Sequence, residues 1–400
     1  MDLNFYTNFA QNVGQQEAAI NLLQAQVASG YAVQTPDQGP AAYETASFAT
    51  DQIGQLTSDN ATQAAIQNQL GSVGGLLTSV STLFDTVQSV VEQGLNGATN
   101  SSDQQALATQ VTSAVSQLIG LGNTSGSNGQ YLFGGSRGNI APFQVQSDGS
   151  VLYVGDNAQS LANIAPGTSV PTISNGEVFV SSLNGDGIAN VTAASANTGS
   201  ASLTGQVNNP VTSAAFQQGN TPITLSFAQG ASGLTYTAQS GATVLSSGAV
   251  TTGLTLQLAG EEFTLDGAPA AGDQFTISPA RPQTAFALLQ TIASALSSAG
   301  STPAQAAQTR QILNQSLGAL SQYQQAVVTA QAQNGVTLQA VSNAKTGNAS
   351  QSNALQGAVQ TAVGANIPVA IDNLDQSVTA LQAAFKAFAS ASSLSLFQYL

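Results

Sequence analysis

At 400 residues the chain has room for two or three domains, yet only 6% of its residues are charged, against about 25% in an ordinary soluble domain, and the balance is -14. Its five cations, Arg137, Arg281, Arg310, Lys345 and Lys386, are too few and too scattered to track a row of phosphates, which argues against a nucleic-acid partner. With no Cys and no His, disulfides, thiolate chemistry, imidazole bases and the commonest metal ligands are excluded.

The first thirty residues alternate polar with apolar and carry no basic segment, so no cleavable secretory signal is expected. No run reaches the roughly 18 apolar residues of a membrane span, so no membrane insertion is expected. Within this first stretch Tyr6, Phe9, Val13, Gln16, Ile20, Leu23 and Val27 recur in steps of three and four, the a/d spacing of a coiled-coil seam with Gln16 as its one polar position. Ser29-Gly30 stops this helix, and Thr35-Pro36-Asp37-Gln38-Gly39-Pro40 is turn-rich.

A second helix starts at Ala41 and carries a seam of Ala42, Ala46, Ala49, Ile53, Leu56, Val73, Leu76, Val80, Leu83, Val87 and Val90. At about 50 residues it is far longer than the globular norm of roughly 11 to 12 and predicts a rod. A third helix opens with Ser102 and Gln105 at capping-box spacing and runs through Leu107, Val111, Ala114, Leu118 and Leu121.

Between 122 and 280 the period changes to two. Asn128-Gly129 and Asp148-Gly149 are hairpin turns. Alternation at Ile223, Leu225, Phe227, at Leu254, Leu256, Leu258, at Phe263, Leu265 and at Phe275, Ile277 predicts an antiparallel β domain of about eight to ten short strands with one buried face. Helix returns after Pro282 and again at Thr302, where Pro303 and Gln305 sit at the first helical and capping-box positions. The apolar residues Val336, Leu338 and Val341 allow that helix to continue past Asn334-Gly335, and Pro368 breaks or kinks it before a last helix. Ile371, Leu374, Val378, Leu381, Phe385 and Phe388 form a second terminal seam, extended by Leu394, Leu396, Phe397 and Leu400.

The expected fold is therefore mixed α and β and multidomain: a long antiparallel helical bundle or coiled coil made by both termini, with an inserted antiparallel β domain. The expected divisions are residues 1–40 with 365–400, 41–138 with 281–364, and 139–280. The terminal seam residues, from Tyr6 to Val27 and from Ile371 to Leu400, are the candidate subunit-packing positions.

Other motifs are weaker. Glu261-Glu262 with Asp266 and Asp273 is the densest acidic cluster; turn residues explain it more simply than a cation site or acid/base pair. Asn184-Gly185-Asp186-Gly187 lacks the ligand register of an EF-hand. The Gly-rich stretch 122–138 has no Gly-Lys-Ser/Thr, and Lys345-Thr346 has no upstream glycine, so neither is a P-loop. No catalytic constellation and no cofactor site is expected.

VASGYAVQTPDQGPAA (27–42), GNTSGSNGQYLFGGSRGNIAPF (122–143), ANTGSASL (196–203), DGAPAAGDQFTISPA (266–280) and ALQAAFKAFASASSLSLFQYL (380–400) together resemble the flagellar hook-associated proteins, most of all the subunits at the hook–filament junction. Where that family often has basic residues after the Ser-Gly and paired acids before the Pro, this chain has Tyr31-Ala32 and Asp37-Gln38-Gly39. The resemblance implies a non-enzymatic structural subunit, exported unfolded through the flagellar type III channel with an export chaperone and located in the extracellular flagellum. It also implies self-association in a ring or helical layer through the termini, between hook-associated protein 1 and flagellin. A flagellin filament subunit is the alternative within the same group; a secreted adhesin or type III needle-tip protein is a more distant one.

Overall fold

The computed structural model describes residues 3–96, 100–126, 128–156, 158, 161–171, 176–180, 187–280, 283–300 and 302–397. Its helices are α1 (Leu3–Ser29), α2 (Pro40–Leu95), α3 (Ser101–Gly122), α4 (Glu177–Val180), α5 (Pro210–Gln218), α6 (Ala285–Ser297), α7 (Pro303–Val363) and α8 (Ile367–Phe397). The strands are β1 (Phe143–Val145), β2 (Val151–Tyr153), β3 (Leu161–Ala165), β4 (Thr168–Pro171), β5 (Asn190–Ala193), β6 (Ser202–Val207) and β7 (Ile223–Gly230). They continue as β8 (Gly233–Ser240), β9 (Thr243–Ala249), β10 (Thr255–Leu258), β11 (Glu261–Asp266) and β12 (Gln274–Ser278). Among the described residues twelve strands stand where eight to ten were expected; the short pair β3 with β4 carries no apolar alternation that marks it in the sequence. No described helix is long and apolar enough to cross a membrane.

Two compact units divide the chain, one of Met1–Ala64, Ile164–Gly167 and Ser342–Leu400, the other of Ala65–Asn163 and Thr168–Val341. In the first, the breaks read from Gly30 and Pro368 are laced together. Gly30 takes a φ of 77°, a conformation that glycine adopts without a Cβ clash, and ends α1. Ala32 N–H then donates to Val363 O at 2.6 Å and Ala365 N–H to Gly30 O at 2.8 Å, so the two helix ends share one short bridge. Gln38 Oε1 accepts from Gln34 N at 2.6 Å and Thr35 N at 3.3 Å, closing the turn before α2. Pro368 lies in the first turn of α8, where a missing N–H removes no helical bond.

The second unit holds two cores. The helical core gathers Val73, Leu77, Val80, Phe84, Val87 and Val91 of α2 with Val111 and Leu118 of α3, Phe286 and Ile292 of α6, and Leu313, Leu320 and Tyr323 of α7. Each such side chain stabilises by roughly 1.5–3 kcal/mol when buried. The stripe on α2 is wider than an a/d seam, since Leu77, Phe84 and Val91 are buried beside Val73, Val80 and Val87. Phe143, at the start of β1, enters this core with its ring centroid 5.2 Å from those of Tyr153, Phe179 and Phe286.

Helix boundaries follow caps. Asn100, rather than Ser102, caps α3: its side chain accepts from Asp103 N at 3.0 Å, and Asp103 Oδ2 accepts from Asn100 N at 3.4 Å. An amide two residues earlier with an acid three residues on satisfies the same free N–H groups and favours the helix dipole. The box expected at Thr302 forms, with Gln305 N donating to Thr302 Oγ1 at 3.3 Å. Helix α7 runs through Asn334-Gly335, where Asn334 Nδ2 donates to Leu70 O of α2 at 3.0 Å.

The β core lies apart from the helical one. A five-stranded sheet in the order β5-β12-β7-β8-β9 and a three-stranded sheet in the order β10-β11-β6, both antiparallel, turn Ile223, Leu225, Phe227, Phe275, Ile277, Leu203, Phe263 and Leu265 into one cluster. Register explains the alternation: Phe275 opposes Leu225, Ile277 opposes Ile223, and Leu265 opposes Leu203. Helix α7 meets this core through amides. Gln311 Oε1 accepts from Leu203 N at 2.6 Å while its Nε2 donates to Leu203 O at 2.7 Å, and Gln315 Nε2 donates to Val191 O at 3.0 Å. Expressed alone, residues 187–280 should give a β-type circular dichroism spectrum and a cooperative melt, since their core needs none of the aromatic residues before Gly176; a disordered spectrum would show that α7 is required.

The stretch 122–143 is a compact turn system. Gly129 has a φ of 75° at the Asn128-Gly129 turn, and Gly135 one of 63°. A Cβ on Gly135 would overlap the backbone oxygen of Asp156. The Asp156 carboxylate accepts from Ser136 N at 2.7 Å and from the Ser136 hydroxyl, with Arg137 Nε at 4.0 Å. The Ser136 bonds, with a smaller contribution from Arg137, hold its pKa below the ordinary carboxylate value. What it adds to stability is therefore present above that ordinary value and is lost as pH falls through the lowered one. Gly135→Ala should cost about 2–4 kcal/mol, combining positive-φ strain with the overlap, and is measurable by urea unfolding.

Candidate assembly surface

The first unit pairs α1 with α8, so both predicted seams meet. Phe9 stacks on Phe388 with centroids 4.0 Å apart, Tyr6 meets Phe388 edge-on at 5.7 Å, and Phe9 meets Phe385 at 6.0 Å. Such aromatic pairs contribute about 0.5–1.5 kcal/mol each beyond the area they bury.

Two helices cannot enclose a seam of this width. Of the described seam residues only Ile20 is buried; Phe9, Val13, Gln16, Leu23, Val27, Leu374, Val378, Leu381 and Phe388 are half-buried. Tyr6, Ile371 and Phe385 remain 45%, 42% and 46% exposed. Off the seam, Leu22 and Val369 are also exposed, which the a/d reading missed because it marks one face of each helix. Leu400 lies outside the described residues, as do the side chains of Leu394, Leu396 and Phe397. Apolar side chains left open along one helix pair mark a surface that further helices can cover.

The acidic cluster dissolves into separate structural roles. Glu261 is buried and accepts from Ala189 N at 2.8 Å, Ser213 Oγ at 2.9 Å and Gln217 Nε2 at 3.2 Å. Asp273 is buried and accepts from Thr198 N and Ala270 N at 2.8 Å each and from Gly199 N at 3.1 Å. Glu262 faces Gln206, and Asp266 accepts from Thr204 Oγ1 at 2.9 Å. The sequence signal for the two buried acids was their place beside glycine turns, Gly260 and Gly272, which have φ of 81° and 95°. Among the described residues no group of three acidic side chains could hold a metal. Asn184-Gly185-Asp186 lies outside the described residues.

Comparison with known proteins agrees with this geometry. Residues 2–137 match the bacterial flagellin N-terminal helical region. The flagellar hook-associated protein 3 of Escherichia coli (strain K12) is 26% identical over 130 residues, which is 32% of this chain and 40% of that protein. Its counterpart from Salmonella typhimurium is 26% identical over 124 residues, 31% of this chain and 39% of that protein. The match thus spans about two fifths of the length of these curated relatives.

Among solved structures, FlgL of Xanthomonas campestris is 26% identical with a TM-score of 0.68, covering 79% of this chain and 99% of its own. The flagellar hook associated protein-3 of Legionella pneumophila shares the fold at a TM-score of 0.71 and 22% identity, over 79% of this chain and 98% of its own. The resemblance to flagellar hook-associated proteins and the mixed helical and β architecture read from the sequence are both borne out.

Proposed function

We propose that this chain, built like the junction proteins it resembles, is a structural subunit of the bacterial flagellum that joins hook to filament and has no enzymatic role. The observation that carries the reading is the fold shared with FlgL of Xanthomonas campestris across 79% of the chain. On this reading α1 and α8 are the elements that self-associate in a ring or helical layer, and their half-covered seam is the surface that neighbouring copies bury. The β core then has the outward role, since its apolar side chains are already enclosed within it.

The partners in this reading are hook-associated protein 1 on one side, flagellin on the other and an export chaperone before assembly. Its place is the extracellular flagellum, reached by the flagellar type III route. The family match at residues 2–137 keeps a flagellin-type filament subunit as the second reading. Gold labelling of isolated hook–filament structures separates the two. A single band where hook meets filament is the expected result; label spread along the filament would favour the second reading, and label on neither would overturn both.

A further inference from the structure

Asn is a chemically labile residue type, and most of all before Gly. The Gly main-chain nitrogen, with no side chain beside it, can attack the Asn side-chain carbonyl carbon and close a five-membered succinimide. Asn128-Gly129 and Asn334-Gly335 are two such pairs with both residues described. The fold places them in opposite surroundings.

At the first pair both residues are exposed, and Gly129 holds a φ of 75°. Asn128 Oδ1 accepts from Gln130 N at 3.1 Å, and its Nδ2 donates to Gln130 Oε1 at 3.3 Å. When the nitrogen attacks, negative charge develops on Oδ1, and a main-chain N–H already aimed at that oxygen stabilises it as an oxyanion hole does. One bond resists: Gly129 N–H donates to Gly126 O at 3.0 Å across the turn.

The second pair lies inside α7, whose hydrogen-bond ladder holds Gly335 N–H. Asn334 Nδ2 is tied to Leu70 O at 3.0 Å. Its Oδ1 is shut off from solvent and has no donor among the described residues, so charge developing there would be unsupported.

We propose that Asn128 is a site of spontaneous deamidation and that the fold holds Asn334 intact. Hydroxide from solvent takes the Gly129 N–H proton and the nitrogen bonds to Asn128 Cγ; the Cγ–Nδ2 bond then breaks, and ammonia leaves with a proton returned by water. Water next opens the succinimide. Opening at Cγ gives aspartate, while opening at the main-chain carbonyl gives isoaspartate, whose main chain is one atom longer; each releases a proton. Either product adds one negative charge to a chain that already carries -14. The isoaspartate also lengthens a hairpin closed by Gly126 N–H to Gln130 O and Leu132 N–H to Thr124 O, which leads Leu132 and Phe133 into the helical core.

Purified full-length protein is kept at mildly alkaline pH, sampled over days and digested. Mass spectrometry of the peptides reads the exchange of NH2 for OH at each Asn, and enzymatic methylation reads isoaspartate. Deamidation at Asn128 is expected to run about ten-fold or more ahead of Asn334 in the folded protein. In concentrated urea, where turn and helix are both lost, Asn334 should speed up until the two rates converge. An intact Asn128 in the folded protein would overturn the proposal, as would an Asn334 that keeps pace with it. So would a lag of Asn334 that persists in urea, since local sequence rather than the fold would then set it.

Discussion

Alanine at both Phe9 and Phe388 should leave a subunit that folds but no longer holds a filament. The two rings stack at 4.0 Å and form the centre of the aromatic cluster on the α1/α8 pair. Both are half-buried in one copy; once neighbouring copies cover them, truncating each Phe costs about 3–5 kcal/mol, or on the order of a hundred- to a thousand-fold or more in an equilibrium constant. Neither residue belongs to the helical core of the second unit or to the β core, so the far-UV spectrum and melting of those parts should stay close to wild type. Cells carrying the double variant should make hooks and release flagellin monomers into the medium, measured by electron microscopy and by blotting the supernatant. Normal filaments on such cells would show that this seam is not the assembly surface.

The second large effect is expected inside the β core. Asp273→Ala would leave the N–H groups of Thr198, Gly199 and Ala270 without their shared carboxylate, and Glu261→Ala would do the same to Ala189 N, Ser213 Oγ and Gln217 Nε2. Each should cost about 2–4 kcal/mol, because three donors lose their shared acceptor at once and a buried carboxylate site is left empty. Asp273→Asn keeps one acceptor oxygen and should lose about half as much. Urea unfolding followed by the β signal measures this, and the α1/α8 pair should be indifferent to it. An unchanged midpoint for Asp273→Ala would mean that the turns at 198–199 and 270 hold without the carboxylate.

Much of this was legible in the sequence because the period of apolar residues reports which face of an element is covered. The seams through Phe9 and through Phe385 and Phe388 identified the sides that meet, and Gly30 and Pro368 placed the breaks on either side of the bridge between Ala32 and Val363. A seam does not tell how many helices cover it, so the 46% exposure of Phe385 came only with the structure. Likewise the Asp148-Gly149 turn marked a hairpin but not the core that Phe143 of that hairpin enters, which is the helical one, among Tyr153, Phe179 and Phe286. The acids were visible as a cluster in sequence but are separated in space. Apart from the neighbouring Ala270 N, the donors to Glu261 and Asp273 come from 44 to 75 residues away, which no local pattern encodes.

The amide of Gln311 grips Leu203 by its main-chain N–H and C=O, and Gln315 takes the main-chain oxygen of Val191. Every residue type except proline offers the same two groups at such a position. The attachment of the strands to α7 is thus written in a chemistry that substitution at Leu203 or Val191 leaves largely intact. Side chains at these two positions can therefore change as far as the β core that buries them allows, and the strands still hang from the same two glutamines.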